Sequence, residues 1–128
     1  MALNIPDGLY YTRDHEWARI IGDVAVIGIT DYAQSHLEDI VFVELPKIGL
    51  KVSVHQSLGT IEAVKAVSDV FSPVSGEVIE ANKNVEQHPD LCNKDPYGEG
   101  WIAKVKMADK KDPEKLLSPA DYRALTAE

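Results

Sequence analysis

Two runs of β-branched and apolar residues flank a single lysine, Lys65, within residues 59–76. Neither side of Lys65 has a glycine, which argues against a type I′ or II′ turn and favours type I. The pattern therefore predicts a β-hairpin with Lys65 at its apex and the charges of Glu62 and Asp69 beside it. The side chains expected to pair across this hairpin and pack inward are Thr60, Ile61 and Val64 on one arm and Val67, Val70 and Phe71 on the other.

Short strands are predicted along most of the remaining chain. The spacing of apolar residues predicts two strands around a polar bend within residues 9–21, and a strand buried on both faces at 24–29. Further strands are expected at 40–45, around Val52 and Val54, from Val78 onwards and at 101–107. Residues 82–96 are rich in turn-forming residues and predict a polar loop.

Helices are predicted at two places. Thr30 or Asp31 is placed to cap a short helix at about residues 31–37, with its inward face formed by Tyr32, Ala33 and Leu37. The C-terminal segment, about 112–126, contains Asp112-Pro113 and Ser118-Pro119, and in each pair we expect the first residue to be a helix N-cap and the proline the first helical residue. We therefore expect a mainly β fold, a flattened β-sandwich or barrel with a short central helix and a C-terminal helix, as one domain over residues 1–128.

The negative net charge of the chain indicates which classes of partner it can bind. The chain has 13 Lys and Arg residues against 21 Asp and Glu residues, a net charge of −8. Nucleic acids and anionic membranes attract clustered positive charge, so neither is expected as a partner, and basic protein surfaces are favoured. The four histidines are scattered without the spacing of metal ligands, and Cys92 is the only cysteine, so we expect no metal site.

The sequence also gives an expectation about location. One cysteine excludes an internal disulfide, which fits a reducing compartment. The N-terminal residues lack the basic and then apolar pattern of a secretory signal, and no apolar stretch approaches the length of a membrane span. We expect a cytoplasmic protein if the source is bacterial, or a mature mitochondrial-matrix protein if it is eukaryotic.

Several segments together carry a resemblance to a known family. The hairpin reads EAVKAVSD at 62–69 and SPVSGEV at 72–78, and it is accompanied in the same order by HEW at 15–17, GITDYAQ at 28–34, VFVELP at 41–46 and NKDPYGEGW at 93–101. This combination resembles the glycine cleavage system H proteins from about residue 8 to 125. The resemblance implies a lipoyl-domain type of fold, a barrel-sandwich hybrid, in a single lipoyl-carrier domain.

The resemblance further implies a carrier without catalytic residues of its own. Lipoate would be bound to Lys65 through an amide. The implied partners are a pyridoxal-phosphate glycine decarboxylase, a tetrahydrofolate-dependent aminomethyltransferase, a dihydrolipoamide dehydrogenase and lipoate-attaching enzymes. The protein would move an aminomethyl group from the decarboxylase to the aminomethyltransferase and pass electrons to the dehydrogenase. We expect it to be a monomer.

A cleft for the loaded arm is implied at Glu16, His36 and Asp69, which match the family's acidic and histidine positions. The aminomethyl group carries a cationic amine, which carboxylates would hold. Simpler roles remain open for each residue: a solvated turn acid for Glu16, a histidine stabilised by the helix dipole for His36, and an edge-strand charge for Asp69.

Four other functions remain open. A biotinyl domain usually has methionine on both sides of the lysine, whereas this chain has Val64 and Ala66. A lipoyl domain of a 2-oxoacid dehydrogenase usually has aspartate before the lysine and is shorter. An H-like lipoate donor is a narrower variant of the carrier hypothesis. A β-rich binding or scaffold module with an unmodified Lys65 is the alternative outside the carrier class.

Overall fold

The computed structural model describes residues 3–127, which form nine strands and several short helices. The strands are β1 (Tyr10–Tyr11), β2 (Glu16–Ile21), β3 (Val24–Ile29), β4 (Ile40–Glu44), β5 (Lys51–Val52), β6 (Ser57–Ala63), β7 (Val67–Phe71), β8 (Gly76–Ala81) and β9 (Ala103–Met107). The helices are α1 (Asp31–Leu37), α2 (Lys83–Gln87), α3 (Leu91–Lys94), a 3-10 helix (Asp112–Lys115) and α4 (Pro119–Thr126). No helix in this part of the chain combines the length and apolar content that crossing a bilayer requires.

The strands form two antiparallel sheets. One sheet has six strands in the order β1-β2-β3-β9-β8-β5, and the other has three in the order β4-β6-β7. Because each outermost strand has only one neighbour, neither sheet closes into a barrel within residues 3–127. The mainly β, sandwich-like fold with few helices is thus confirmed.

The sheets share a hydrophobic core. One cluster of buried side chains combines Ile29 of β3 and Ala103 of β9 with Val43 of β4, Ile61 of β6 and Val70 of β7. Members therefore come from the inner faces of both sheets, as in a β-sandwich. This packing fixes the three-stranded sheet, and with it the hairpin around Lys65, to the rest of the molecule.

The predicted central helix is confirmed at its N-terminus. Thr30 is the N-cap of α1, and its hydroxyl accepts a hydrogen bond from the Ala33 amide at 3.2 Å. This bond satisfies one of the free amides of the first turn. The predicted inward side chains Tyr32, Ala33 and Leu37 are partly buried and pack on the core clusters.

Two predicted features differ from the structure in the second half of the chain. Residues 82–96 are not one loop, because α2 and α3 lie within them and Asn82 caps α2 through its side chain. Asp112 is not an N-cap. Its carboxylate instead accepts hydrogen bonds from the Ser75 amide and hydroxyl at 2.8 and 2.7 Å, and the 3-10 helix begins after Lys111.

The strand predicted around Val52 and Val54 is shorter than expected. β5 ends at Val52, which is buried, while Val54 is exposed and lies outside any strand. The chain turns at once after β5, because His55 has a positive φ of 72° and its amide donates to the Ser72 carbonyl at 2.8 Å. This turn leads directly into β6, the first arm of the hairpin.

The C-terminal helix α4 contacts the start of the central helix α1 through its one buried aromatic residue, Tyr122. Ser118 caps α4 as predicted, accepting a hydrogen bond from the Asp121 amide at 3.1 Å. Tyr122 is fully buried and stacks on Tyr11 with ring centroids 4.7 Å apart. Its hydroxyl is hydrogen-bonded to Thr30 Oγ1 at 2.7 Å and His15 Nδ1 at 2.8 Å.

We predict that Tyr122→Phe lowers the free energy of unfolding by about 1–3 kcal/mol, because it removes the hydrogen bonds that the buried Tyr122 hydroxyl makes with Thr30 and His15. Urea denaturation measures this change. Tyr10→Phe is the matched control, since Tyr10 is exposed and its hydroxyl makes no side-chain hydrogen bond in the described part of the chain. The control should change stability by less than about 0.5 kcal/mol. Equal losses in the two variants would contradict this account.

Candidate functional site

Lys65 lies in the two-residue turn that joins β6 and β7. The Ala63 amide donates to the Ala66 carbonyl at 2.7 Å and closes the hairpin around Val64 and Lys65. Neither turn residue has a positive φ, which excludes turn types I′ and II′ and agrees with the prediction from the absence of glycine. The Lys65 side chain is 52% exposed. The sequence therefore located the apex of the hairpin correctly.

The hairpin is anchored from its inner face. Ile61, Ala63 and Val70 are buried in the core that the two sheets share. At the turn, the Val64 amide donates to the Asp39 carbonyl at 3.0 Å, which ties the apex to the segment before β4. These contacts limit the movement of the backbone that carries Lys65.

The prediction that Val64 and Val67 pack inward is wrong. Val64 is 76% exposed and Val67 is 66% exposed. Val67 is paired with Glu62, and neighbours across an antiparallel pair share a face. Since Glu62 lies between the buried Ile61 and Ala63, its own face is the outer one. Val67 follows it outward, and Val64 lies in the turn itself.

The carboxylate in contact with Lys65 is that of Glu38. Lys65 Nζ donates to Glu38 Oε2 at 2.6 Å, and both side chains are exposed. This hydrogen bond and the positive charge of Lys65 hold the pKa of Glu38 below its usual range. Glu62 and Asp69, which the sequence suggested as the neighbouring charges, form no ion pair with Lys65 among residues 3–127.

The backbone conformation of Glu38 and a hydrogen bond to its carbonyl hold this residue in place. It follows α1 with a positive φ of 64°, and its carbonyl accepts a hydrogen bond from Asn93 Nδ2 at 2.6 Å. No local sequence pattern indicates this contact, because Glu38 and Lys65 are 27 residues apart and belong to different elements. Only the tertiary arrangement brings them together.

Glu16, a predicted cleft residue, is buried rather than solvated. Only 1% of it is exposed. Its carboxyl oxygens accept hydrogen bonds from Thr12 Oγ1 at 2.6 Å and from the Phe71 amide at 3.1 Å. Burial raises the pKa of Glu16 from 4.5 to about 7, against the opposing effect of these bonds. Glu16 thus joins the bend before β2 to the end of the hairpin arm β7.

The other two predicted cleft residues are exposed. Asp69 lies on β7, two residues before Phe71, and its Oδ1 accepts a hydrogen bond from Ser57 Oγ at 3.2 Å. His36 lies in the last turn of α1, and its ring stacks on Tyr32 with centroids 4.1 Å apart. No hydrogen bond or ion pair joins Glu16, His36 and Asp69 to one another within residues 3–127.

Stacked rings connect the His36 region to that of Glu16. Tyr32 stacks between His36 and His15, with its centroid 4.3 Å from that of His15. His15 precedes Glu16 directly, and burial lowers the pKa of its ring. The bend before β2, helix α1 and arm β7 therefore meet around Glu16, although the polar groups of the three predicted residues do not converge on one point.

Neither metal binding nor cysteine chemistry is supported in the described part of the chain. In the described residues, no group of three or more His, Cys, Asp or Glu side chains is placed to hold a metal ion. Cys92 is fully buried, and burial raises the pKa of its thiol to about 12. Since the thiolate is the reactive form, Cys92 is inert in this position.

Comparison with known proteins decides the family. The family model described as "Glycine cleavage H-protein" matches residues 9–128. The chain belongs to the glycine cleavage H-protein family. A glycine cleavage system H protein of Rubrobacter xylanophilus is 57% identical over 118 residues, covering 92% of this chain and 91% of that relative. One of Bacteroides thetaiotaomicron is 50% identical over 123 residues, covering 96% and 98%.

A solved structure of the family has the same fold. The crystal structure of a glycine cleavage system H protein from Mycobacterium marinum matches with a TM-score of 0.86 and 38% identity. The match covers 94% of this chain and 97% of that one. The family and the sandwich architecture that the sequence resemblance implied are therefore both confirmed.

We predict that the contribution of Glu16 to the stability of the protein falls as the pH rises from about 4.5 to 7, because Glu16 loses its proton at a lower pH in the unfolded state than in the folded one. Because the folded pKa lies above the unfolded value of 4.5, the folded protein binds the extra proton in this window. The shift corresponds to a loss of about 3 kcal/mol, complete once the pH passes the folded pKa. Glu16→Gln keeps an acceptor for the Phe71 amide but cannot ionise.

Urea denaturation at a series of pH values, for the wild type and Glu16→Gln, isolates this effect from other titrating groups. The difference in unfolding free energy between the two proteins should change by about 3 kcal/mol across the window, in favour of the variant at high pH. Parallel pH profiles for the two proteins would refute the assignment of a raised pKa to Glu16.

Proposed function

We propose that this protein bears lipoate on the side chain of Lys65, as the single lipoyl-carrier domain of a glycine cleavage system. The protein is a carrier and not an enzyme. The observation that carries the site assignment is the exposed Lys65 Nζ at an apex whose backbone is tied to the core. When bound, the lipoyl group supplies a dithiolane that takes up an aminomethyl group and electrons from glycine.

The residues present fit this cofactor. An amide at Lys65 Nζ needs space beyond the side chain, and both partners of the Lys65–Glu38 ion pair are open to solvent. Acylation would remove the positive charge of Lys65 and end the ion pair, which costs little for an exposed pair. The turn backbone, held by the Val64 amide and the Asp39 carbonyl, would keep its position.

The proposed partners are those of glycine cleavage. A pyridoxal-phosphate glycine decarboxylase loads the arm, an aminomethyltransferase with tetrahydrofolate unloads it, and a dihydrolipoamide dehydrogenase takes the electrons. Lipoate-attaching enzymes modify Lys65. The named relatives are bacterial, so the proposed location is the bacterial cytoplasm, and the proposed state is a monomer.

The residues proposed to receive the cationic amine of the loaded arm differ in accessibility. Asp69 and His36 offer exposed polar groups. Glu16 offers its carboxylate only if the hydrogen bonds to Thr12 and Phe71 open. A cation beside Glu16 would favour the ionised carboxylate and oppose the effect of burial. The loaded arm and the ionisation of Glu16 are therefore expected to favour each other.

We predict that Lys65→Arg abolishes lipoylation. Arginine keeps the charge and the length of lysine, but its guanidinium stays protonated and offers no nucleophilic amine for acylation. Intact-mass spectrometry after incubation with lipoate, ATP and a lipoate–protein ligase measures the modification. Lys83→Arg, at an exposed position on α2, is the matched control and should gain one lipoyl group. Uptake of lipoate by Lys65→Arg would reject the assignment of Lys65.

Exchange between glycine and bicarbonate distinguishes this function from the alternatives. The lipoylated protein should support that exchange with a glycine decarboxylase, whereas a lipoyl domain of a 2-oxoacid dehydrogenase should not. A lipoylated protein that supports no exchange but passes lipoate to other apoproteins would instead favour an H-like lipoate donor.

A further inference from the structure

The outer face of the three-stranded sheet lies directly beside Lys65. The register places Phe42 of β4 opposite Glu62 of β6, and Glu62 opposite Val67 of β7. The second row places Glu44 opposite Thr60, and Thr60 opposite Asp69. Paired residues share a face, so these side chains form one surface. We call it the tip face, and its members are Phe42, Glu44, Thr60, Glu62, Val67 and Asp69.

Two large apolar side chains on the tip face are open to solvent. Phe42 is 46% exposed and Val67 is 66% exposed, one on either side of Glu62. Val64, in the turn next to Lys65, extends the apolar surface to the apex. Scattered exposed apolar residues are ordinary, but a group that ends at a functional side chain is typical of an interaction surface.

The charge on the tip face has a single sign. Glu44, Glu62 and Asp69 contribute carboxylates, and none of the three strands contains a lysine or an arginine. Like charges on neighbouring strands disfavour the free sheet, so this arrangement suits a surface that meets positive charge from outside. The complementary surface would have an apolar centre and a rim of lysine and arginine residues.

We propose that the tip face is the docking surface for the lipoate-attaching enzyme, which would contact Phe42 and Val67 through apolar side chains and the carboxylates through basic ones. This inference rests on the proposed lipoylation of Lys65. It adds to that function the residues other than Lys65 that the enzyme would contact.

The length of the unmodified lysine favours this partner over the others. Before modification, Lys65 has only its own four methylene groups, so an enzyme that acylates Nζ must contact the residues next to the apex. Enzymes that act on the distal end of the lipoyl arm reach their reacting atoms from further away. The surface that adjoins Lys65 therefore matters most in the step that attaches the arm.

The test compares lipoylation of the wild type with that of Phe42→Ser/Val67→Ser, using a lipoate–protein ligase, lipoate and ATP. We expect kcat/KM for the protein substrate to fall by about tenfold or more, mainly through KM, because apolar contacts at the centre of an interface carry most of its energy. Ile21→Ser/Ile79→Ser is the matched control, since both residues are exposed apolar residues of the six-stranded sheet. The control should change kcat/KM less than about twofold.

A second pair of variants tests the charge without altering the apolar residues. Glu44→Lys should lower kcat/KM for lipoylation by several-fold, whereas Glu114→Lys, with the same charge change on the exposed side of the 3-10 helix, should have little effect. Urea denaturation of each variant checks that it is folded. Since Glu44 is an exposed strand residue, its variant stays informative even if the double variant does not fold.

The outcomes separate this proposal from the proposed function. A wild type that takes up no lipoate would reject the function. A lipoylated wild type with unchanged kcat/KM in both Phe42→Ser/Val67→Ser and Glu44→Lys would overturn the tip face alone. If these variants are lipoylated normally but then fail in glycine–bicarbonate exchange, the face serves glycine decarboxylase, and the proposal is equally overturned.

Discussion

The burial of Ile61 and Val70 in the shared core is the contact on which the rest of the structure depends. These two side chains fix both arms of the β6–β7 hairpin to the six-stranded sheet, and burying each is worth about 1.5–3 kcal/mol. With the arms fixed, the hydrogen bonds from Ala63 to Ala66 and from Val64 to Asp39 limit the movement of the backbone that carries Lys65. The same alternation that points Ile61 and Val70 inward points Glu62 and Val67 outward. The rigidity of the apex and the composition of the tip face therefore have one cause.

Glu16 connects this hairpin to the other polar region of the molecule. Its carboxyl group accepts a hydrogen bond from the Phe71 amide at the end of β7, while Thr12 and His15 place it near the buried hydroxyl of Tyr122. A carboxyl with a pKa near neutrality is sensitive to an approaching cation. In the proposed function, where the cargo is an amine, this sensitivity would let the buried acid respond to loading, in addition to holding β7 through the Phe71 amide.

The sequence predicted the features that depend on local patterns and missed those that depend on tertiary contacts. The continuous run of β3, the Thr30 cap of α1 and the apex at Lys65 each follow from a few adjacent residues. Helices α2 and α3 have five and four residues, too few for a helical period to stand out among turn residues. The Lys65–Glu38 contact joins residues that are distant in the chain, and no local signal exists for it. Likewise, burial of Glu16 depends on β7 packing against the bend before β2, which the polar sequence around Glu16 does not indicate.

The proposed carrier function requires that the cofactor be attached at one defined lysine. Peptide mapping by mass spectrometry of the protein purified from its native host tests this requirement. We expect one lipoyl group on the peptide that contains Lys65 and unmodified lysines in every other peptide. A native protein whose Lys65 is unmodified in glycine-degrading cells, or whose lipoyl group lies on another lysine, would refute the proposed function.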